Sequence, residues 1–166
     1  MIAALSRKKG KIKMIRIEEI TNTEQRKAIA REILEALPDW FGIEEAREQY
    51  IAESAEQTFF AAFDDETAVG FLCLKETGKD TVELAVMGVL QRLHRQGVGR
   101  RLFEAAAGCA KAAGYTFMQV KTVAMGHYED YDRTNRFYQS LGFKELEIFP
   151  TLWGEANPCQ IYVMAL

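Results

Sequence analysis

The sequence predicts a single mixed α/β domain, and three observations lead to this fold class. The chain has 166 residues, a length that normally forms one domain with enough core to need no disulfide bonds. Apolar residues make up 48% and charged residues 27%, close to the averages of globular domains. Segments with strand-like and helix-like hydrophobic spacing follow each other in the order β-α-α-β-β-β-α-β-α-β-β, without internal repeats.

The chain begins with one strand and two helices. Residues 14–20 alternate apolar and polar side chains, which predicts a strand. Thr23 is a candidate N-cap for a helix that ends before Pro38. An aromatic loop at residues 40–42 then leads into a second predicted helix over residues 43–54.

Three strands come next. Residues 58–63 and 68–75 are apolar and aromatic and flank a short acidic connection, a pattern typical of a β-hairpin. Residues 81–90 form a long apolar run, which predicts a strand that is buried on both faces.

The second half of the chain alternates helices and strands. A turn with two glycines opens a helix over residues 97–113, whose apolar side chains recur at helical spacing. The remaining segments predict a strand at 116–123, a short helix at 132–141, and two strands at 143–149 and 160–166.

The net charge of −3 conceals an uneven distribution of charge. Residues 1–13 carry five basic side chains and no acidic one, whereas the other 153 residues hold 16 basic and 24 acidic side chains. We therefore expect residues 1–13 to form a flexible basic extension, and residues 14–166 to form an acidic globular domain.

Several classes of protein are disfavoured by composition. Three cysteines without a CxxC pair, together with two histidines, favour neither a disulfide framework nor a metal site. No apolar stretch approaches the ~18 residues of a membrane span, and the N-terminus lacks the apolar core of a signal peptide. The acidic body argues against nucleic-acid binding. We expect a cytoplasmic protein with no metal, no membrane contact and no nucleic-acid partner.

The most informative segment connects the strand at 81–90 to the helix at 97–113. Gly97 and Gly99 let the backbone approach a ligand closely. The first amides of a helix lack internal partners and lie at the positive end of its dipole, so such a turn can bind a phosphate. Four arginines add positive charge in this segment: Arg92, Arg95, Arg100 and Arg101.

The residues alone leave a second interpretation of this turn open, in which the glycines serve only tight helix–strand packing and the arginines are solvated. Two other phosphate sites are less consistent with the pattern. A dinucleotide-binding Rossmann turn follows the first strand of a parallel unit, whereas this turn follows the fourth strand. A P-loop is excluded because no Gly-Lys-Ser/Thr follows the glycines.

The segment from His94 to Gly99 resembles the acetyl-CoA signature of the GNAT superfamily of N-acetyltransferases, [QR]-x-x-G-x-[GA]. It departs from that signature at the first position, where His94 replaces Gln or Arg. A second segment, from Asn135 to Phe143, resembles the N-x-x-x-x-x-x-G-F block of the same enzymes, which carries an Asn and a Tyr on a short helix. The predicted elements follow the order of this superfamily from Met14 to Leu166.

The resemblance implies a mostly antiparallel central sheet of about seven strands flanked by about four helices. It also implies that acetyl-CoA is the co-substrate, and that an acetyl group is transferred to a primary amine of a small molecule or peptide. The residues implied to bind acetyl-CoA are Met87, Val89, His94, Arg95, Gln96, Gly97, Val98, Gly99, Arg100, Asn135 and Tyr138.

Two residues are candidates for proton transfer. The resemblance implies that Tyr138 is the general acid that protonates the leaving thiolate. Glu83 is the candidate base, because it is the only ionisable residue of the apolar run. The resemblance implies a base glutamate at its position, six residues before Val89. Strand alternation puts Glu83, Ala85, Met87 and Val89 on one face, and the resemblance predicts a β-bulge at residues 87–89.

The acceptor side is less defined by the sequence. Trp40 and Phe41, together with Tyr128 and Glu129 in the loop at 127–132, are candidates because acidic and aromatic side chains suit a cationic amine. Trp153 is a candidate for covering the substrate or for a homodimer contact. A non-catalytic sensor of acyl-CoA is the alternative function.

Overall fold

The computed structural model describes residues 14–166, so the basic extension predicted for residues 1–13 lies outside the described residues. The described part contains seven strands and five α-helices. In chain order they are β1 (Ile15–Glu19), α1 (Thr23–Glu35), α2 (Pro38–Phe41), α3 (Glu44–Glu53), β2 (Thr58–Asp64), β3 (Thr67–Glu76), β4 (Thr81–Val89), α4 (Val98–Ala112), β5 (Phe117–Val123), α5 (Glu129–Leu141), β6 (Lys144–Phe149) and β7 (Cys159–Ala165).

Two local expectations for the first helices are wrong. The N-cap of α1 is Asn22 rather than Thr23, and its side-chain oxygen accepts a hydrogen bond from the Gln25 amide at 2.9 Å. The segment expected to be an aromatic loop forms the short helix α2, because Pro38 is favourable at a first helical position.

No helix among residues 14–166 is both long and apolar enough to cross a membrane.

The strands form one sheet in the order β1-β2-β3-β4-β5-β7-β6. Every neighbouring pair is antiparallel except β4 and β5, which are parallel and are connected through α4. This mixed, mostly antiparallel seven-stranded sheet is the predicted fold class.

Strands β4 and β5 pair over only part of their length. The parallel ladder runs from Thr81 opposite Phe117 to Leu84 opposite Val120. Beyond that pair β4 continues to Val89 and β5 to Val123 without mutual pairing. The two strands therefore separate and leave a V-shaped gap in the middle of the sheet.

A β-bulge lies at the point where the strands separate. Cys73 of β3 pairs with Val86, but the next β3 residue, Leu74, pairs with Leu84. Ala85 is thus the extra residue, and an extra residue increases the local twist and bends the strand.

The bulge corrects two expectations. The ladder is regular at residues 87–89, so the bulge is not there. Because one extra residue reverses the alternation of side chains, Glu83 does not share a face with Met87 and Val89. Met87 and Val89 pack in the core beneath α4, while Glu83 lies on the opposite face of the sheet.

Each face of the sheet has its own core. One core joins α4 and α5 to the sheet, and the other joins α1 and α3 to it. Val82 and Leu84 of β4 belong to the first core, and Val86 belongs to the second. The central strand therefore has buried side chains on both faces, as its apolar run predicts.

We predict that Gly70→Ala destabilises this sheet, because the added methyl group would lie 2.9 Å from the Gly88 carbonyl oxygen on the neighbouring strand. Backbone atoms of a central strand cannot move aside cheaply, so the free energy of unfolding should fall by about 1–3 kcal/mol. Urea denaturation measures this change.

Gly108→Ala is the matched control. Gly108 lies inside α4, and a methyl group there meets no atom within 4 Å. The same substitution should raise the free energy of unfolding by about 0.5–1 kcal/mol, because alanine favours the helix. Equal effects at the two sites would contradict the steric explanation for Gly70.

Candidate active site

The turn before α4 presents free backbone amides. Arg95 and Gly97 both have positive φ angles, of 60° and 83°, and these reverse the chain into the helix. Gly97 is the N-cap of α4, and no side chain caps the helix. Since the first turn holds no acidic residue, the positive end of the dipole is not neutralised within α4.

Glycine is favoured at the two positions of the turn for different physical reasons. A Cβ atom on Gly97 would meet nothing within 4 Å, so this position borders open space and glycine is favoured there by its φ angle. A Cβ atom on Gly99 would lie 3.0 Å from the ring of Phe137 and 3.5 Å from Met87. Gly99 therefore serves close packing, which is the alternative interpretation of the motif, and Gly97 serves the open turn.

The four arginines of this segment are not equivalent. Arg92 lies 3.9 Å from the Asp64 carboxylate, and Arg100 donates to the Ser140 carbonyl of α5 at 3.2 Å. Within residues 14–166, neither Arg95 nor Arg101 has an ion-pair partner. The turn thus keeps uncompensated positive charge beside the free amides of α4.

Two predicted cofactor residues use their side chains inside the turn. His94 donates through Nε2 to the Val89 carbonyl at 2.7 Å. Gln96 donates to the Arg92 carbonyl at 2.9 Å. These side chains stabilise the turn, so what they offer a ligand is their backbone.

Asn135 has a structural role that the resemblance did not imply. It is completely buried, and its amide group donates to the carbonyls of Val123 at 2.8 Å and Tyr131 at 2.7 Å. Its oxygen accepts from the Tyr162 hydroxyl at 2.7 Å. Both amide hydrogens are therefore used within the protein, and binding of acetyl-CoA by Asn135 stays a prediction.

The location of the Val123 carbonyl explains this network. Val123 ends β5 beyond the last pair with β4, so no amide of β4 donates to its carbonyl. Asn135 supplies the missing donor and fixes α5 over the gap.

Tyr138 lies one turn further along α5 and is 6% exposed. Its ring packs against Phe137 and Phe143, and its hydroxyl makes no hydrogen bond within the described residues. Burial raises the pKa of Tyr138, and the nearby phenols of Tyr50 and Tyr131 add to the shift. The hydroxyl therefore stays protonated and is free to donate.

Glu83 lies on the other face of the gap. Its carboxylate accepts from Lys121 of β5 at 3.0 Å, and its side chain is only 13% exposed. Tyr50 of α3 is close to it: burial raises the pKa of Tyr50, and the negative charge of Glu83 raises it further. The carboxylate and the α4 N-terminus thus lie on opposite faces of one opening.

Two of the four predicted acceptor residues adjoin this face. The Trp40 ring meets His94 edge-on at 5.6 Å, and its carbonyl accepts from the Tyr131 hydroxyl at 2.8 Å. The Phe41 ring meets Tyr50 edge-on at 6.0 Å. Burial is the main cause that raises the pKa of Tyr131 to about 12.

The other two predicted acceptor residues lie further out. Tyr128 is 46% exposed and directs its hydroxyl at the Ala156 carbonyl, 3.5 Å away. Glu129 forms an exposed ion pair with Arg133 at 3.7 Å. Trp153 is also exposed, and its role in a dimer stays a prediction.

Sequence reasoning did not single out Lys121, Tyr50 or Arg47. The alternation of side chains along β5 places Lys121 on the same face of the sheet as Glu83, but only once the parallel pairing of β4 with β5 is known. Tyr50 and Arg47 share the inward face of α3 with the buried Ile51, at helical spacing. The low amphipathicity of α3 hid this face.

The cysteines and histidines do not assemble a metal site in the described part of the chain. Among residues 14–166, no group of three or more His, Cys, Asp or Glu side chains could hold a metal ion. All three cysteines are free, and burial raises the pKa of the Cys73 thiol. The expectation of a metal-free site stays a prediction.

Solved structures share this fold. A GNAT-family protein from Desulfovibrio desulfuricans superposes with a TM-score of 0.78 at 17% identity, over 92% of this chain and 99% of that one. The PaiA N-acetyltransferase of Thermoplasma acidophilum, in complex with coenzyme A, gives 0.71 at 19% identity, over 92% and 99%. A GNAT family acetyltransferase from Elizabethkingia anophelis with acetyl-CoA bound gives 0.73 at 18%, over 94% and 100%.

A search of curated protein sequences gave no match. A family model describing an acetyltransferase (GNAT) domain matches residues 55–145, more than half of the chain. The matched range includes β4, the glycine turn, α4, β5 and α5, which are the elements that form the gap. The chain therefore belongs to the GNAT acetyltransferase family.

Proposed function

We propose that the protein transfers an acetyl group from acetyl-CoA to a primary amine by direct attack. The observation that carries this proposal is the uncapped N-terminus of α4, which opens beside the gap between β4 and β5. Bound CoA or acetyl-CoA in two structures of the same fold supports the choice of co-substrate.

The turn before α4 fits the pyrophosphate of acetyl-CoA. Its amides have no internal partners, Gly97 borders open space, and Arg95 and Arg101 have no ion-pair partner in the described residues. Amides and a helix dipole together favour an anion. The part of β4 that does not pair with β5, from the Ala85 bulge to Val89, offers backbone groups that the extended arm of the co-substrate can meet.

Acetyl-CoA supplies an activated acyl group, and the transfer must move two protons. A neutral amine forms the new N–C bond, the C–S bond breaks, the amine loses a proton and the thiolate gains one. Tyr138 is suited to donate to the thiolate, because its hydroxyl stays protonated and forms no hydrogen bond among the described residues. Glu83, on the opposite face, accepts the amine proton directly or through water, and Lys121 orients its carboxylate.

We predict that Gly97→Glu weakens acetyl-CoA binding by about 100-fold or more. The new carboxylate would project into open space at the turn and would repel a pyrophosphate. Titration calorimetry with acetyl-CoA measures the affinity.

Gly114→Glu is the matched control at the other end of α4. Gly114 has a φ of 95° and open space around its Cβ position, as Gly97 has. Both variants should lose about 1–2 kcal/mol of stability to backbone strain, but only Gly97→Glu should lose affinity. Equal affinity in both variants would remove the turn from the co-substrate site.

We predict that Tyr138→Phe lowers kcat for amine-dependent thiol release by about 100-fold, because a general acid contributes about 10²–10⁴-fold to the rate. The fold should persist, since the hydroxyl has no hydrogen bond to lose within the described residues. The rate is measured as the release of free thiol from acetyl-CoA in the presence of each amine of a panel of primary amines.

Tyr115→Phe is the control for loss of a phenol. Tyr115 bonds to Glu76 at the opposite end of the sheet and should leave kcat unchanged within about twofold. Tight acetyl-CoA binding with no thiol release for any amine would instead favour the acyl-CoA sensor.

A further inference from the structure

Arg47 is a cation on the inward face of α3 that forms no ion pair within residues 14–166. Its Nη1 donates to the Phe41 carbonyl at 3.3 Å. Its Nε is buried and has no hydrogen-bond partner in the described part of the chain. A guanidinium that is partly buried without a carboxylate is unfavourable for stability, so its presence needs a reason.

The acidic residue that follows Arg47 on α3 is already bonded to another arginine. Glu48 accepts two hydrogen bonds from Arg31 of α1, both at 2.7 Å. The pKa of Glu48 is lowered first by this bond to Arg31, and the charge of Arg47 contributes less. Glu48 therefore does not neutralise Arg47.

Arg47 belongs to the face of the gap that is covered by α1 and α3 and carries Glu83, which we call the acceptor face. Its hydrogen bond is to Phe41, whose ring contacts Tyr50, and the charge of Glu83 is felt at Tyr50. Helical spacing of three residues puts Arg47 and Tyr50 on the same side of α3.

Arg47 takes no part in the ion pair on this face. Glu83 is paired with Lys121 at 3.0 Å, so those two charges cancel. The guanidinium of Arg47 remains, and its planar set of donors suits a carboxylate.

We propose that Arg47 binds a carboxylate of the acceptor, so that the acceptor is a primary amine that also carries a carboxylate, as an amino acid does. This inference rests on the proposed acetyl transfer and narrows its substrate. The amine is directed to Glu83 and the gap, while the carboxylate lies towards α2 and α3. The acceptor is then not the purely cationic amine that the acidic and aromatic loop suggests.

The test compares acceptors that differ only in the carboxylate. L-Phenylalanine, L-leucine, β-alanine and γ-aminobutyrate are each compared with the corresponding amide, and thiol release from acetyl-CoA is followed. We expect a kcat/KM about 30-fold higher for at least one acid than for its amide. In the Arg47→Gln variant, kcat/KM for the acid should fall about 30-fold, whereas kcat/KM for the amide should change less than about threefold.

Further variants separate binding from a structural role. Arg47→Lys keeps the charge and should recover part of the preference for the acid. Arg133→Gln removes an exposed, paired arginine and should leave the preference unchanged. If Arg47 only holds α2 through the Phe41 carbonyl, Arg47→Gln will lower the Tm and reduce acids and amides equally, which would overturn the inference.

A binding measurement distinguishes this inference from the proposed function. Calorimetric titration of L-phenylalanine and L-phenylalaninamide, and of the other pairs, into the CoA-saturated protein does not depend on turnover. Arg47-dependent binding of acids without thiol release would contradict acetyl transfer but support the carboxylate site. No binding of any acid, together with no preference in the rates, would overturn the site.

Discussion

The separation of β4 from β5 after the Leu84–Val120 pair is the constraint on which the rest of the site depends. A continuous parallel sheet would satisfy every backbone group and leave no opening. Here the extra residue Ala85 bends β4, and the Asn135 amide satisfies the Val123 carbonyl that β4 no longer reaches. The gap is thus maintained by a bulge on one side and a side-chain hydrogen bond on the other.

The same two features orient the candidate catalytic groups. The reversal of alternation at Ala85 puts Glu83 on the α1–α3 face, while Met87 and Val89 remain beneath α4. Asn135 fixes α5, and Tyr138 follows three residues later on the same helix. An acid and a base on opposite sides of one opening suit a reaction in which the donor enters from one face and the acceptor from the other.

Electrostatics distinguish the two faces of the gap. The α4 face carries free amides and arginines without partners among the described residues, which favour a highly charged anion. The opposite face carries a closed Glu83–Lys121 pair and the guanidinium of Arg47, which forms no ion pair among the described residues and favours a small ligand with both an amine and a carboxylate. The overall negative charge of the protein gives no indication of either preference.

By itself the sequence determined the order of elements apart from the short helix α2, the family resemblance and the position of the glycine turn, because hydrophobic spacing and glycine chemistry are local properties. It did not determine the bulge at Ala85, the role of Asn135 or the environment of Arg47. These depend on contacts across the sheet: Ala85 is extra only relative to Cys73 and Leu74, and Asn135 bonds to Val123 at a point where β5 no longer pairs with β4. The tertiary structure decided them because a hydrogen bond or a charge is satisfied only by what lies next to it in space.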